Sequence, residues 1–198
     1  LTVAMSGESG LVGGALAPFL ATGGHAVRPL VRRAAAPGSG EIAWDPARGT
    51  IDAAALEGCD AVVHLAGENI GAGRWTPARK AAIRESRVAS TRLLCETLAR
   101  CARPPRVLVA ASAVGWYGAS GGDDARDETA PAGSGFLSEL TRAWEAALEP
   151  ARAAGIRVVA LRIGVVLAAR GGALAKMLPA FRAGAGGPIG NGRQWMSW

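Results

Sequence analysis

A short apolar run, Thr2-Val3-Ala4-Met5-Ser6, gives way to glycines at 7, 10 and 13, and a helix-compatible pattern begins at Leu11. Strand, glycine-punctuated turn and helix N-terminus, in that order, restrict the possible folds more than any other stretch of the chain. Gly7 allows the sharp turn off the strand because it tolerates φ > 0. Gly10 places no side chain between the backbone and a bound pyrophosphate, and Gly13 is expected to let the first helix pack close against the sheet. The free N–H groups and the dipole of the helix start favour an anion there. The spacing is G-x-x-G-x-x-G, not G-x-G-x-x-G, in a chain that holds 28 glycines. Its weight comes from standing at the first strand–helix junction. The turn predicts dinucleotide binding; the alternative is a Gly-rich turn of purely structural use.

Hydrophobic residues make up 49% of the chain but aromatics only 5%, so the core must be built from Ala, Val, Leu and Ile. That suits a parallel sheet buried under Ala-rich helices. A second strand over 26–32 completes a β-α-β unit, which implies a right-handed crossover. The expected class is α/β, a Rossmann-type doubly wound parallel sheet. The net charge is +6, but the arginines are scattered and no basic run is interleaved with aromatics, which argues against nucleic acid. Cys59, Cys95 and Cys101 show neither C-x-x-C pairing nor metal spacing, and His25 and His64 stand far apart. No metal is expected, and a reduced, cytoplasmic protein is. No basic-then-apolar leader opens the chain, and Arg157, Arg162 and Arg170 interrupt its longest apolar stretch, so no membrane span is expected either.

The pattern along the chain predicts a helix over 11–21 that Pro18 bends or shortens, then the strand over 26–32 with Pro29 as an awkward occupant. A short strand over 41–44, a short helix over 51–56 and a strand over 60–67 follow. A long helix over 76–102 starts at Thr76-Pro77 and is stopped by Pro104-Pro105. Then come a strand from Arg106 running into a polar turn at 112–118, an acidic loop over 121–134, a helix over 136–154, a strand over 157–167 and a last helix over 173–181. His64 lies inside an apolar run and reads as a hydrogen-bonded core residue in preference to a catalyst. Glu68-Asn69 fall at a strand's carboxyl end, where open α/β sheets bind ligands. Arg87 either reaches the cofactor or a carboxylate, or is a solvated helix arginine. Arg162, a charge within a strand, needs a partner or a polar crevice. Trp195 and Trp198 need a surface to cover them, so the chain reads as a truncated one.

The end of the second strand carries Arg32-Arg33 where an NAD enzyme often carries an acid. A guanidinium suits the extra phosphate of NADP, which it grips with two hydrogen bonds. Two arginines solvating a loop are the alternative. NADP is therefore expected in preference to NAD.

Six segments together resemble the epimerase-family group of extended and atypical short-chain dehydrogenase/reductases. They are Ser6-Gly7-Glu8-Ser9-Gly10-Leu11-Val12-Gly13, His64-Leu65-Ala66-Gly67-Glu68-Asn69-Ile70, Ser112-Ala113-Val114-Gly115-Trp116-Tyr117-Gly118, Trp144-Glu145-Ala146-Ala147, Arg162-Ile163-Gly164-Val165-Val166-Leu167, and Gly186 through Trp195. The resemblance implies a dinucleotide-binding domain over 1–170 and an incomplete substrate lobe over 171–198. It implies NADP(H) at Gly7, Ser9, Gly10, Leu11, Val12, Gly13, Arg32, Leu65 and Ala66, with Arg87 and Arg162 as further contacts. The implied partner is a small molecule, with sugar nucleotides among the candidates.

The chain departs from the group in its chemistry. Short-chain reductases mostly use Tyr-x-x-x-Lys, in which the lysine lowers the tyrosine pKa. Tyr117 is the only tyrosine, and the residue four places on is Gly121. The usual positions of the dyad fall on Phe136 and Leu140. Ser112 and Tyr117 remain as candidate catalytic groups, and Tyr117 serves equally well as a packing residue. With no cation adjacent in sequence, its pKa is expected near the reference value of about 10. The implied activity is that of an NADP(H)-dependent oxidoreductase or epimerase/dehydratase-like protein; the alternative is a non-catalytic NADP(H) binder or redox sensor.

Overall fold

The structure is a computed structural model that describes residues 1–119, 124–188 and 190–198. Its centre is a seven-stranded sheet. The strands are β1 (Thr2–Ser6), β2 (Ala26–Val31), β3 (Ile42–Asp45), β4 (Thr50–Ile51), β5 (Ala61–His64), β6 (Val107–Ala113) and β7 (Arg157–Ile163), in the spatial order β4-β3-β2-β1-β5-β6-β7. The helices are α1 (Gly13–Thr22), α2 (Ala53–Leu56), α3 (Pro77–Ala99), α4 (Phe136–Ala146), α5 (Glu149–Ala153) and α6 (Gly172–Arg182). A two-residue strand β8 (Leu167–Ala168) forms a small antiparallel turn with Gly171 and Gly172.

β1 pairs in parallel with β2 on one side and β5 on the other, and β5 pairs in parallel with β6. The chain therefore winds outward from β1 in one direction, then returns to its other side. The reversal puts Ser6 level with His64, at the carboxyl ends of the two strands flanking the switch point. β1 alternates between two cores, as a strand covered on both faces must. Ala4 joins Leu30, Val62, Leu94, Leu98, Leu108 and Leu148 in one core, while Val3 and Met5 join Ala17 and Val63 in the other.

Several local features differ from the sequence pattern. α1 begins at Gly13 and carries Pro18 inside it without ending there. β2 stops at Val31, which leaves Arg32 beyond the strand. Pro29 is tolerated because it is level with Met5 of β1, while β3 joins β2 only from Leu30 onward. β4 is an antiparallel hairpin partner of β3 that the sequence pattern does not reveal. The single helix expected over 136–154 is two, since Pro150 near the start of α5 lacks the N–H that would continue the α4 ladder. The strand expected over 157–167 ends at Ile163, before Gly164. Residues 121–123 of the expected acidic loop lie outside the described residues. Among those described, no helix is long and apolar enough to cross a membrane.

The chain divides into two compact units, one comprising Leu1–Ser112 with Ala143–Leu161 and the other Ala113–Arg142 with Arg162–Trp198.

Candidate cofactor and catalytic site

The glycine turn is held by its own backbone. Gly7 has φ +74°, Gly10 N–H donates to the Gly7 carbonyl at 3.0 Å, and Gly14 N–H donates to the Gly10 carbonyl at 2.8 Å. A Cβ on Gly7 would stand 2.8 Å from the Leu65 carbonyl carbon and 2.9 Å from Ala66 N. The structure thus brings Gly7 against Leu65 and Ala66, two candidates 58 and more residues away in sequence. Gly13 is tighter still: its Cβ would fall 2.2 Å from the Gly7 oxygen and 2.8 Å from Glu8 Cα. The close approach that Gly13 permits is to the turn itself. Gly10 meets only the Gly7 oxygen, at 3.1 Å, and is exposed. Val12 at the start of α1 supplies no side-chain cap, and the first turn carries no acid. Helix N–H groups left uncapped, beside a backbone free of side chains, fit a pyrophosphate. Ser9 is exposed and Leu11 and Val12 are half-buried along the same turn.

Beneath the turn runs a buried polar chain. Ser6 Oγ lies 2.6 Å from His64 Nδ1, and the Ala66 N–H donates to the same hydroxyl at 3.3 Å. His64 Nε2 lies 2.9 Å from Thr91 Oγ1, which also accepts the Trp144 indole N–H at 2.9 Å. His64 is fully buried, and desolvation pushes its pKa down to about 4. It is the neutral core residue the apolar run predicts. Thr91 and Trp144 complete the chain and carry no sequence signal of it, because α3 and α4 reach this point only on folding.

The two arginines after β2 have different fates. Arg33 grips Glu41 with both Nη atoms, at 2.8 and 2.5 Å, and Glu41 also accepts the Ala36 N–H at 3.0 Å. The Arg33 hydrogen bond, then the Ala36 N–H, hold the Glu41 carboxyl down at about 2. Arg33 therefore closes the 34–40 loop. Arg32 is exposed, and its charge helps to lower the carboxyl of Glu68. Glu68 is lowered chiefly by the hydrogen bond and charge of Arg79, whose Nη1 donates to Oε1 at 2.7 Å; Arg79 also donates to the Asn69 carbonyl. Arg87 is half-buried. Its guanidinium lies over the Trp144 ring at 5.2 Å and 3.3 Å from where a Gly67 Cβ would stand. Burial pushes its pKa down and Glu68 opposes that shift. It is not the solvated helix arginine that the sequence also allows.

The two catalytic candidates fall in different units. Ser112 ends the buried part of β6, 3% exposed, and its hydroxyl donates to Glu145 Oε1 of α4 at 2.5 Å. Glu145 was not singled out by sequence, although it lies within one of the resembling segments; nothing in the spacing couples position 145 to 112. Tyr117 closes a 3₁₀ turn, Val114–Tyr117. Its hydroxyl donates to the Asp127 carbonyl at 2.9 Å and accepts from Arg162 Nη1 at 3.1 Å. The expectation of no cation beside Tyr117 is corrected: β7 supplies one that no i+4 search finds. Arg162 also donates to the Glu128 carbonyl at 3.2 Å and stacks 3.9 Å from the Trp116 ring. It has found the partners that its place in a strand demands, and it belongs to the unit of Tyr117, not that of the glycine turn. The three thiols are free, and burial pushes the Cys95 thiol up to about 12, which makes it a core residue and not a nucleophile.

The model of the NAD dependent epimerase/dehydratase family matches residues 3–198. An epimerase family protein of Mycobacterium bovis is 45% identical over 196 residues, covering 99% of this chain and 64% of its own length. A solved nucleoside-diphosphate sugar epimerase from Corynebacterium glutamicum is 43% identical with a TM-score of 0.85, over 100% of this chain and 40% of that one. The human epimerase family protein SDR39U1, solved with NADPH, is 37% identical with a TM-score of 0.85, over 100% of this chain and 65% of its own. The chain spans just under two thirds of the length of the first curated relatives it matches. A match over nearly every residue, on a sheet whose switch point carries the glycine turn, makes this chain a member of the NAD dependent epimerase/dehydratase family.

Proposed function

We propose that this chain is the cofactor-binding part of an NADP(H)-dependent oxidoreductase of the epimerase/dehydratase type. The observation that carries the reading is the pairing of a side-chain-free turn at Gly7, Gly10 and Gly13 with an exposed Arg32 just past β2. Arg33 is committed to Glu41, so Arg32 is the guanidinium that a 2′-phosphate would meet. The α1 N-terminus, with Ser9, Leu11 and Val12, would hold the pyrophosphate. Leu65 and Ala66 would flank the adenosine side, and Arg87 and Arg162 are further candidates for cofactor contact. When bound, the nicotinamide supplies or accepts a hydride. Ser112 would hold or move a proton at its Oγ, with Tyr117 as the second candidate. Residues 1–170 would form the dinucleotide domain and 171–198 the beginning of a substrate lobe. The substrate would be a small molecule, with sugar nucleotides first among the classes to try. Three free thiols fit a reducing, cytoplasmic setting.

A second reading, an NADP(H)-binding protein without catalysis, is favoured by one observation. The Tyr117 hydroxyl is engaged as both donor and acceptor within its own unit.

The test is calorimetric titration of the full-length protein with NADPH and NADH. NADPH should bind at least about tenfold more tightly, the size expected of one charge-assisted contact. Arg32→Ala should remove most of the difference, and equal affinities in the parent protein would sink the NADP assignment. Hydride transfer across sugar nucleotides and small carbonyls then separates the enzyme from the binder.

A further inference from the structure

The proton chemistry of this chain needs a titratable group, and the Tyr-x-x-x-Lys dyad does not supply it. A serine hydroxyl works as an acid or base near neutral pH only when a second group takes or returns its proton. Ser112 has such a group in contact: its proton points to Glu145 Oε1 at 2.5 Å, within the range of the strong, charge-assisted class of hydrogen bonds. The pair stands at the carboxyl end of β6, the side of the sheet where open α/β folds bind ligands. Trp144 ties α4 to Thr91, and Trp144, Ala147 and Leu148 are all buried.

We infer that Glu145 is the proton reservoir of the site, acting through Ser112. The inference rests on the oxidoreductase reading above. In alcohol oxidation the substrate O–H proton passes to Ser112 Oγ as the serine's own proton passes to Glu145 Oε1. The substrate C–H breaks with its electron pair going to the nicotinamide dinucleotide, and the C=O bond forms. Glu145 ends neutral and releases its proton to solvent between turnovers. Reduction runs the same path backwards. Ser112 is thus the group that touches substrate, and Glu145 positions and discharges it.

The experiment compares Glu145→Gln, Glu145→Asp and Ser112→Ala with the wild-type full-length protein. Hydride transfer is followed by nicotinamide absorbance as a function of pH, with a panel of sugar nucleotides and small carbonyls, and NADPH affinity is measured by calorimetry. Gln keeps an acceptor for the Ser112 hydroxyl but cannot take its proton. Glu145→Gln should lower kcat about 100-fold or more, with NADPH affinity unchanged. Glu145→Asp should recover part of the rate, and Ser112→Ala should match Glu145→Gln. A wild-type kcat and pH profile in Glu145→Gln overturns the inference alone, as does loss of cofactor affinity in step with rate, which marks a structural role. A wild-type protein that transfers no hydride to any member of the panel overturns the oxidoreductase reading and this inference with it.

Discussion

Gly13 carries the tightest constraint in the nucleotide turn. A Cβ there would fall inside contact distance of three backbone atoms of Gly7 and Glu8, none of which can rotate away. Alanine normally gains about 1 kcal/mol over glycine inside a helix, but overpacking against rigid neighbours costs about 1–3 kcal/mol. The clash should win at Gly13. Gly14, the next residue of α1, makes the contrast: its Cβ would sit 3.6 Å from the Glu8 oxygen, an ordinary contact. Urea unfolding should show Gly13→Ala destabilised and Gly14→Ala neutral or slightly stabilised. A Gly13→Ala protein as stable as its parent would show that the turn can yield.

Among the elements, α3 spans the greatest length and brings Ile83, Thr91, Leu94 and Leu98 into buried positions along one side. Its start is fixed by Thr76, whose Oγ1 accepts the Arg79 N–H at 3.2 Å, with Pro77 at the first helical position. That first turn also carries Arg79 to Glu68. Thr76→Ala should cost about 1 kcal/mol of unfolding free energy in urea, and Thr76→Ser should restore nearly all of it. Equal stabilities of the alanine and serine variants would assign the start of α3 to Pro77 and packing alone. The Glu41–Arg33 pair plays a comparable part for the 34–40 loop, but it is solvent-screened and adds little to global stability.

At the scale of the molecule, the buried polar chain makes stability depend on pH. His64 is neutral in the fold, with a pKa near 4 set by desolvation, while an unfolded histidine titrates near 6.5. Its neighbours Ser6, Thr91 and the edge-on Trp44 ring carry no charge that could rescue the imidazolium. The unfolded chain therefore takes up the proton first. The stabilisation is complete above about pH 6.5, is lost as the pH falls toward 4, and levels off below that, with a full span on the order of 3 kcal/mol. Between pH 7 and 5 the loss should be about 2 kcal/mol. The lowered Glu41 carboxyl works in a separate window, below its unfolded value near 4.3 and down toward 2. Denaturant midpoints at pH 7 and 5 check this, with His64→Gln expected to show a much smaller drop. A parent protein with the same stability at both pH values would mean that His64 is solvated or that its partners compensate.

What could be read from the sequence was local. The strand–turn–helix at 2–22, the Thr76-Pro77 start of α3, the absence of a second-strand acid and the burial of His64 in an apolar run each depend on residues a few places apart. Their conformational preferences act within one turn or one strand. The parallel, doubly wound class followed from the alternation of those elements. Which side chains meet depended on strand register and helix packing, which no local spacing encodes. Register placed Ser6 beside His64, and α3 and α4 then brought Thr91 and Trp144 to the same buried line. The same long-range assembly gave Arg33 to Glu41, Arg162 to Tyr117 and Glu145 to Ser112, pairs separated by 8, 45 and 33 residues. A charge or hydroxyl taken out of water must find whatever partner the fold delivers, so the partners of these groups were decided only in the tertiary structure.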